Sequence, residues 1–241
     1  MADSTQQPPI IAVAGWKGGI GKSLLAYELA YLLGAVLVDA DWDGGGVTRQ
    51  WGYRPEDRLR APLLDALESG RAPRPLTGTR KPRLIPSHPD LAVNQPPAER
   101  FTEALESWAR ALGSPLVVDT HPGGVPATYG AIAAARIVIT PAVLATRELA
   151  ALETMLTELP DYPLLIVPNK VPNSPPAREV ERLAQLAAGV PVAPPVSEHR
   201  WLPTRRVRTA VTSYTEAESK RGARLAAELR AVAEEVSKRV A

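Results

Sequence analysis

Short apolar runs rich in β-branched residues recur along the chain at residues 10–14, 35–38, 116–118, 137–140, 164–167 and 190–192. They lack strict polar–apolar alternation, as strands covered on both faces do. Between them, apolar residues fall at helical spacing over 24–33, 62–68, 98–112, 147–159 and 177–188. A long final helix is predicted over 216–239. Strand and helix in alternation predict an α/β fold: a doubly wound, mainly parallel sheet with helices on both faces. The rhythm breaks over residues 53–97, where prolines and arginines crowd together. That pattern predicts an irregular insertion, with weak strands at 83–85 and 91–93 forming a hairpin.

At 241 residues the chain has the length of one large α/β domain. A single domain over 1–241 is expected, opening on a flexible polar lead-in over 1–8. A chain this long buries roughly 70–75% of its unfolded surface and needs no staple. Cysteine is absent, which excludes disulfides and cysteine-held iron–sulfur or zinc centres and fits a reducing cytoplasm. No apolar run reaches membrane-spanning length, and the first residues carry no hydrophobic signal core.

The net charge of +2 hides local asymmetry. Arg200, Arg205, Arg206 and Arg208 are close in sequence, and Lys220, Arg221 and Arg224 follow. A second basic stretch holds Arg71, Arg74, Arg80, Lys81 and Arg83. Runs of this kind are either solvated faces or the electrostatic footprint of a nucleic-acid site.

The most specific chemistry follows the first apolar run: Trp16-Lys17-Gly18-Gly19-Ile20-Gly21-Lys22-Ser23, leading into the first helix with Leu24. Strand, glycine-rich turn and helix form the context of a phosphate-binding loop. Glycines let successive N–H groups point inward as an anion nest, and the helix N-terminus adds partial positive charge. Lys22 would reach β- and γ-phosphates, and the Ser23 hydroxyl would ligate Mg2+. The usual glycine at position 16 is replaced by Trp16, and a second lysine, Lys17, stands next to it.

Three further strand ends carry candidate chemistry. Asp39 and Asp41 follow the second apolar run, where an open parallel sheet places its ligands. Leu116-Val117-Val118-Asp119 ends in an acid placed to reach the metal through water. Pro168-Asn169-Lys170 closes the fifth run, and Pro172 stands where a guanine-reading acid would be. Neither His88 nor His199 has metal-ligand spacing with other candidates, so no zinc site is expected.

The run Lys17-Gly18-Gly19-Ile20-Gly21-Lys22-Ser23 resembles the deviant Walker A box of the ParA/MinD family of ATPases, and the later motifs follow in the family's order. The resemblance covers nearly the whole chain from Ile10 to the last helix. It implies a nucleotide site built from Lys17, Gly18, Gly19, Ile20, Gly21, Lys22, Ser23 and Leu24, with Asn169 and Pro194 beside the adenine. Lys17 would be the signature lysine that completes a partner subunit's site. Asp41 would polarise the attacking water, and Asp39 and Asp119 would serve Mg2+ alongside Ser23. The family's usual Pro-Gln after D-x-D is Trp42-Asp43 here, and the first proline after Asp119 is His121. His121 reads as a switch-loop residue rather than a catalytic base.

The resemblance is closest to the small ParA-type partition ATPases, with no further module expected ahead of the phosphate loop. It implies a cytoplasmic, nucleoid-associated protein that binds ATP and Mg2+, forms a homodimer when ATP-bound and hydrolyses ATP slowly. That dimer would hold nonspecific DNA, with Arg205, Arg206, Arg208, Lys220, Arg221 and Arg224 as candidate contacts. A centromere-binding, ParB-type partner protein would stimulate hydrolysis. Alternatives are a MinD-like membrane-associated positioning ATPase, a metabolic P-loop ligase resembling dethiobiotin synthetase, and a nucleotide-bound scaffold with little turnover. The final helix, alanine-rich with Glu234 and Glu235, reads as packed on its own domain rather than on lipid.

Overall fold

The central strand, β1 (Ile10–Val13), pairs in parallel with β4 (Leu116–Thr120) on one side and β5 (Ile137–Ala142) on the other. Beyond β4 lie β2 (Val36–Ala40) and then β3 (Arg83–Ile85); β6 (Leu164–Pro168) extends the sheet past β5. The order β3-β2-β4-β1-β5-β6 is parallel throughout. This computed structural model describes residues 7–43, 46–58 and 61–241. Most of the expected lead-in therefore lies outside the described residues.

Every residue of β1, β2, β4, β5 and β6 is buried. Successive side chains nevertheless go to opposite faces, because the strand period is two. Ile11, Val13, Leu37, Val117, Ile139 and Val167 share one core with Leu25 and Leu29 of α1 (Lys22–Leu32). Leu225, Leu229, Val232 and Val236 of α8 (Lys220–Val240) complete that core. Ile10, Ala12, Val36, Val38, Leu116 and Val118 face the other way. They meet Leu63 of α3 (Pro62–Ser69), Phe101, Leu105 and Trp108 of α4 (Ala98–Leu112), and Ala127 and Ala131 of α5 (Pro126–Ala134). A smaller cluster joins α6 (Thr146–Glu158) to α7 (Ala177–Leu186) through Leu149, Leu152 and Leu183.

The structure corrects three expectations. Residues 190–192 are not a strand: Val192 makes one isolated parallel bridge to Ile166, and Ser197 another to Val171. Pro191, Pro194 and Pro195 remove the donors a continuous ladder needs. Residues 91–93 do not pair with 83–85; Pro89–Ala92 is a short 3-10 turn that buries Leu91. The antiparallel partner of Leu84 is Leu76, while β3 itself joins β2 in parallel. Residues 53–97 thus supply α3 and an edge strand. The last helix starts at Lys220 rather than 216, because the Ser219 hydroxyl accepts from the Gly222 N–H at 3.1 Å.

Two helices escaped the periodicity. α2 (Val47–Trp51) is too short to show one. α5 buries Ala127, Thr128, Gly130, Ala131 and Ile132, so its sequence is apolar or small nearly all round. No described helix is long and apolar enough to cross a membrane.

Candidate functional site

The candidate site lies at the C-terminal ends of the central strands, where the loop after β1 bends into α1. Gly19 and Gly21 take φ values of 77° and 98°, a left-handed backbone that residues with a Cβ resist. Gly21 is the N-cap of α1 and offers no capping side chain, so the first N–H groups of the helix are open to an anion. Lys22 is only 6% exposed, and its ammonium reaches the Lys17 carbonyl at 3.5 Å. Burial lowers its pKa, with Asp119, Asp41 and Asp43 pulling the other way. Ser23 and Leu24 are half-buried in the first turn of α1, and Lys17, Gly18 and Gly19 line the outer side of the loop.

Two carboxylates stand side by side beneath the loop. Asp39 on β2 is in register with Asp119 on β4, and both are fully buried. Asp39 accepts from the Asp41 N–H at 3.0 Å and the Thr48 N–H at 2.8 Å, which shapes the turn after β2. Burial still pushes its pKa up to about 7. Among the described residues, neither oxygen of Asp119 has a hydrogen-bond partner of ordinary distance and angle, although the Ser23 hydroxyl stands close enough to act on it. Burial raises its pKa well above the usual range, Asp39 adds repulsion, and the Ser23 hydroxyl and Lys22 offset part of this. An orphaned buried carboxylate beside a second acid and a helix-borne hydroxyl fits a hard divalent cation with oxygen ligands.

Asp41 lies just past the end of β2. Its Oδ1 accepts from the Asp43 N–H at 3.0 Å and stands 3.0 Å from His121 Nδ1. His121 follows β4, and the ring of Trp42 stacks on it with centroids 3.9 Å apart. The ligand atoms of Asp41, Asp43 and His121 lie within 4.8 Å of one another. The sequence singled out these departures one by one and did not reveal that they touch, since some eighty residues of chain separate His121 from the others.

Asn169 is 2% exposed, and its amide donates to the Ile20 carbonyl at 2.7 Å. Lys170, with φ 53°, extends to the Gly19 carbonyl at 2.6 Å. Both therefore hold the phosphate loop from behind; the sequence showed Lys170 only as part of an N-K pair. Trp16 leaves the loop on the other side, donating to Glu158 at 2.6 Å and meeting Tyr129 edge-on at 5.9 Å. Pro194 is exposed on the segment that runs beside β6. Farther along, Glu228 of α8 gathers the Ser197 N–H and hydroxyl, His199 and Arg224, clamping this segment to the helix.

The basic candidates converge around one corner. Arg206, Arg208, Lys220, Arg221 and Arg224 are exposed and Arg205 is half-buried. The α1 residues Tyr27 and Glu28 anchor the intervening chain: the Tyr27 hydroxyl donates to the Arg208 carbonyl at 2.7 Å, and Glu28 accepts from the N–H groups of Val211 and Thr212. Two members of the other basic stretch join them. Arg80 pairs with Glu218 at 2.7 Å, and the field of Arg208 acts on Lys81. Arg83 does not join; its guanidinium bonds Ser114 and the Gly34 carbonyl. A cavity of about 400 Å³, lined by Leu156, Leu159, Tyr162 and Val190 with Arg136 and Arg239, opens at the N-terminal ends of β5 and β6, away from the phosphate loop.

No protein-family model matches the chain, and no curated protein matches it in sequence. Solved structures do match in fold. An aspartate-to-alanine variant of Cyanothece McdA in complex with ATP aligns over 94% of this chain and 96% of its own, with TM-score 0.74 and 17% identity. A plasmid partition protein from Borrelia burgdorferi aligns over 97% and 99%, with TM-score 0.70 and 17% identity. The septum site-determining protein MinD of Pyrococcus horikoshii, complexed with Mg-ADP, aligns over 96% of each chain, with TM-score 0.72 and 18% identity. The chain thus has the α/β fold shared by McdA, plasmid partition proteins and MinD.

Proposed function

We propose that the chain is an ATP-driven dimerisation switch of the ParA type, which hydrolyses ATP and holds nonspecific DNA in plasmid or chromosome partitioning. The observation that carries the reading is the pairing of an uncapped α1 N-terminus and Lys22 with the unpartnered, buried carboxylate of Asp119. Polyphosphate and a divalent cation together satisfy both halves of that arrangement. The loop N–H groups and Lys22 bind the phosphates. Ser23 would hold Mg2+ directly, with Asp119 and Asp39 behind it through water; the bound ion supplies charge neutralisation on the phosphate oxygens. Asp41 orients the attacking water, a positioning task that needs no strong base.

Lys17 sits outside the buried half of the loop, in a place that suits a charge lent to a second subunit's nucleotide. Dimerisation would set two copies of the basic corner side by side for phosphate contacts. The N-terminus of α8 adds its partial positive charge beside Lys220 and Arg221. A centromere-binding partner would stimulate turnover and release the DNA. The membrane-positioning alternative is weakened by α8, whose Leu225, Leu229, Val232 and Val236 are spent in the core.

The test is binding to random-sequence duplex DNA with ATP–Mg2+, with ADP and without nucleotide, using wild type and Asp41→Ala. ATP-dependent, salt-sensitive binding that persists in Asp41→Ala is expected. Nucleotide binding without DNA binding in any state would remove the partition reading.

A further inference from the structure

The three places where this chain departs from the resembled pattern around its acids, Trp42, Asp43 and His121, meet at one point, and that point is Asp41. From this contact we infer that His121 is a positioning residue for Asp41, itself held in place by Trp42. The inference rests on the ATPase reading above and deepens it.

The geometry sets the roles. A carboxylate oxygen accepts, so the hydrogen of the 3.0 Å contact is on His121 Nδ1 and points at Asp41 Oδ1. The Asp43 N–H falls on the same oxygen at 3.0 Å. With both donors on Oδ1, Oδ2 is the oxygen left to accept from a water. Trp42 holds the imidazole, covering one face at 3.9 Å with the planes 12° from parallel, while the Thr128 hydroxyl donates to the His121 backbone carbonyl at 3.1 Å and steadies the chain that carries the ring. Both rings are only partly exposed, and their stack links the loop after β2 to the loop after β4. A proline pair in those loops would stiffen each one separately. The histidine–tryptophan stack instead makes them one unit, so the carboxylate keeps its orientation when the loops respond to nucleotide. A charge-assisted bond of this kind restricts a side chain more than a neutral contact does.

The experiment compares steady-state ATP hydrolysis by wild type, His121→Phe, His121→Asn and Trp42→Ala, alongside fluorescent ATP-analogue binding and thermal melts. His121→Phe keeps a ring for Trp42 to stack on and loses the Nδ1–H. Its kcat is expected to fall about 10- to 100-fold, the scale of a misplaced reacting group, with KM and analogue affinity within about twofold of wild type. His121→Asn restores an N–H near the Nδ1 position and is expected to recover most of kcat. Trp42→Ala, which frees the ring, falls between the two. His121→Phe with wild-type kcat, or with loss confined to KM, overturns the assignment, as does His121→Asn no better than His121→Phe when both melt like wild type. A wild-type protein that binds the analogue but releases no phosphate, with or without DNA, overturns the ATPase reading and this inference together. The two failures are distinct, because only the second leaves wild type inert.

Discussion

The side-chain amide of Asn169 donates to the Ile20 carbonyl at 2.7 Å, so the end of β6 grips the phosphate loop from inside the protein. A Cβ on Gly21 would run into that same amide, and the φ of 98° there already disfavours any residue but glycine. Removing the bond in Asn169→Ala costs about 1 to 1.5 kcal/mol of loop order. Nucleotide affinity is therefore expected to weaken about tenfold, measurable by isothermal titration with ATP–Mg2+.

On the proposed reading, the two lysines of the loop would separate binding from turnover. Lys22 is buried against the acids. Lys22→Ala is expected to lose at least about tenfold in nucleotide affinity, as a charge-assisted contact does. Lys17→Ala leaves the anion nest intact, so affinity stays within about threefold while turnover falls by about 1,000-fold, the scale of a charge supplied in trans. Equal losses of affinity in both variants would remove Lys17 from the intersubunit role.

Glu28 makes the stability depend on pH. It is buried in α1 and accepts from the Val211 and Thr212 N–H groups and the Thr212 hydroxyl at 2.6 to 3.0 Å. Desolvation nonetheless raises its pKa, against those bonds and Arg205. The folded chain thus holds this proton more tightly than the unfolded chain. Its contribution is full below the ordinary glutamate range and is lost as pH rises through the raised folded value. Wild type is expected to lose stability relative to Glu28→Gln as pH rises above about 4, read by urea titration at each pH. A difference that stays flat over that range contradicts the shift.

Gly130 lets α5 lie against α4. A Cβ there would stand 2.5 Å from the Ala98 carbonyl oxygen and 2.9 Å from Phe101 Cβ. The nearest atom is backbone and cannot rotate away, so Gly130→Ala is expected to cost about 1 to 3 kcal/mol. The melting temperature should drop by about 2–4 °C per kcal/mol in a chain of this length, with the nucleotide contacts untouched.

At the basic corner, Arg206 and Arg208 are exposed, while the Arg224 guanidinium is already bonded to Glu228 and Ser197. If about six phosphates are engaged, log affinity should fall against log salt with a slope near −5. Arg206→Ala and Arg208→Ala should each reduce that slope by about 0.9. Arg224→Ala should change it less. Filter binding across a salt series distinguishes these outcomes.

Much of the sheet was legible from the chain because its strands are buried on both faces and run as short apolar stretches. Five of the six apolar runs, the weak strand at 83–85 and the helices at 98–112 and 147–159 appear within a residue or two of their expected places, whereas 190–192 forms no strand. α5 was illegible for the opposite reason: with no polar face it has no period to detect. The glycine-rich loop was legible because its pattern is local, a run of eight residues between a strand and a helix. The basic corner was only half legible, since nothing in the spacing brings Arg80 beside Glu218.

By itself, then, the sequence determined the features that depend on neighbours along the chain: burial of each strand, the glycine-rich loop with its lysines, and the acids at the ends of β2 and β4. Tertiary structure decided which distant groups share a dielectric and a hydrogen bond. The parallel register sets Asp39 against Asp119 and leaves the latter unpartnered. The same adjacency of β2 and β4 brings Trp42 and Asp41 to His121. Such contacts arise from sheet order, which hydrophobic periodicity does not encode, because any strand with a buried face satisfies the same pattern in several positions.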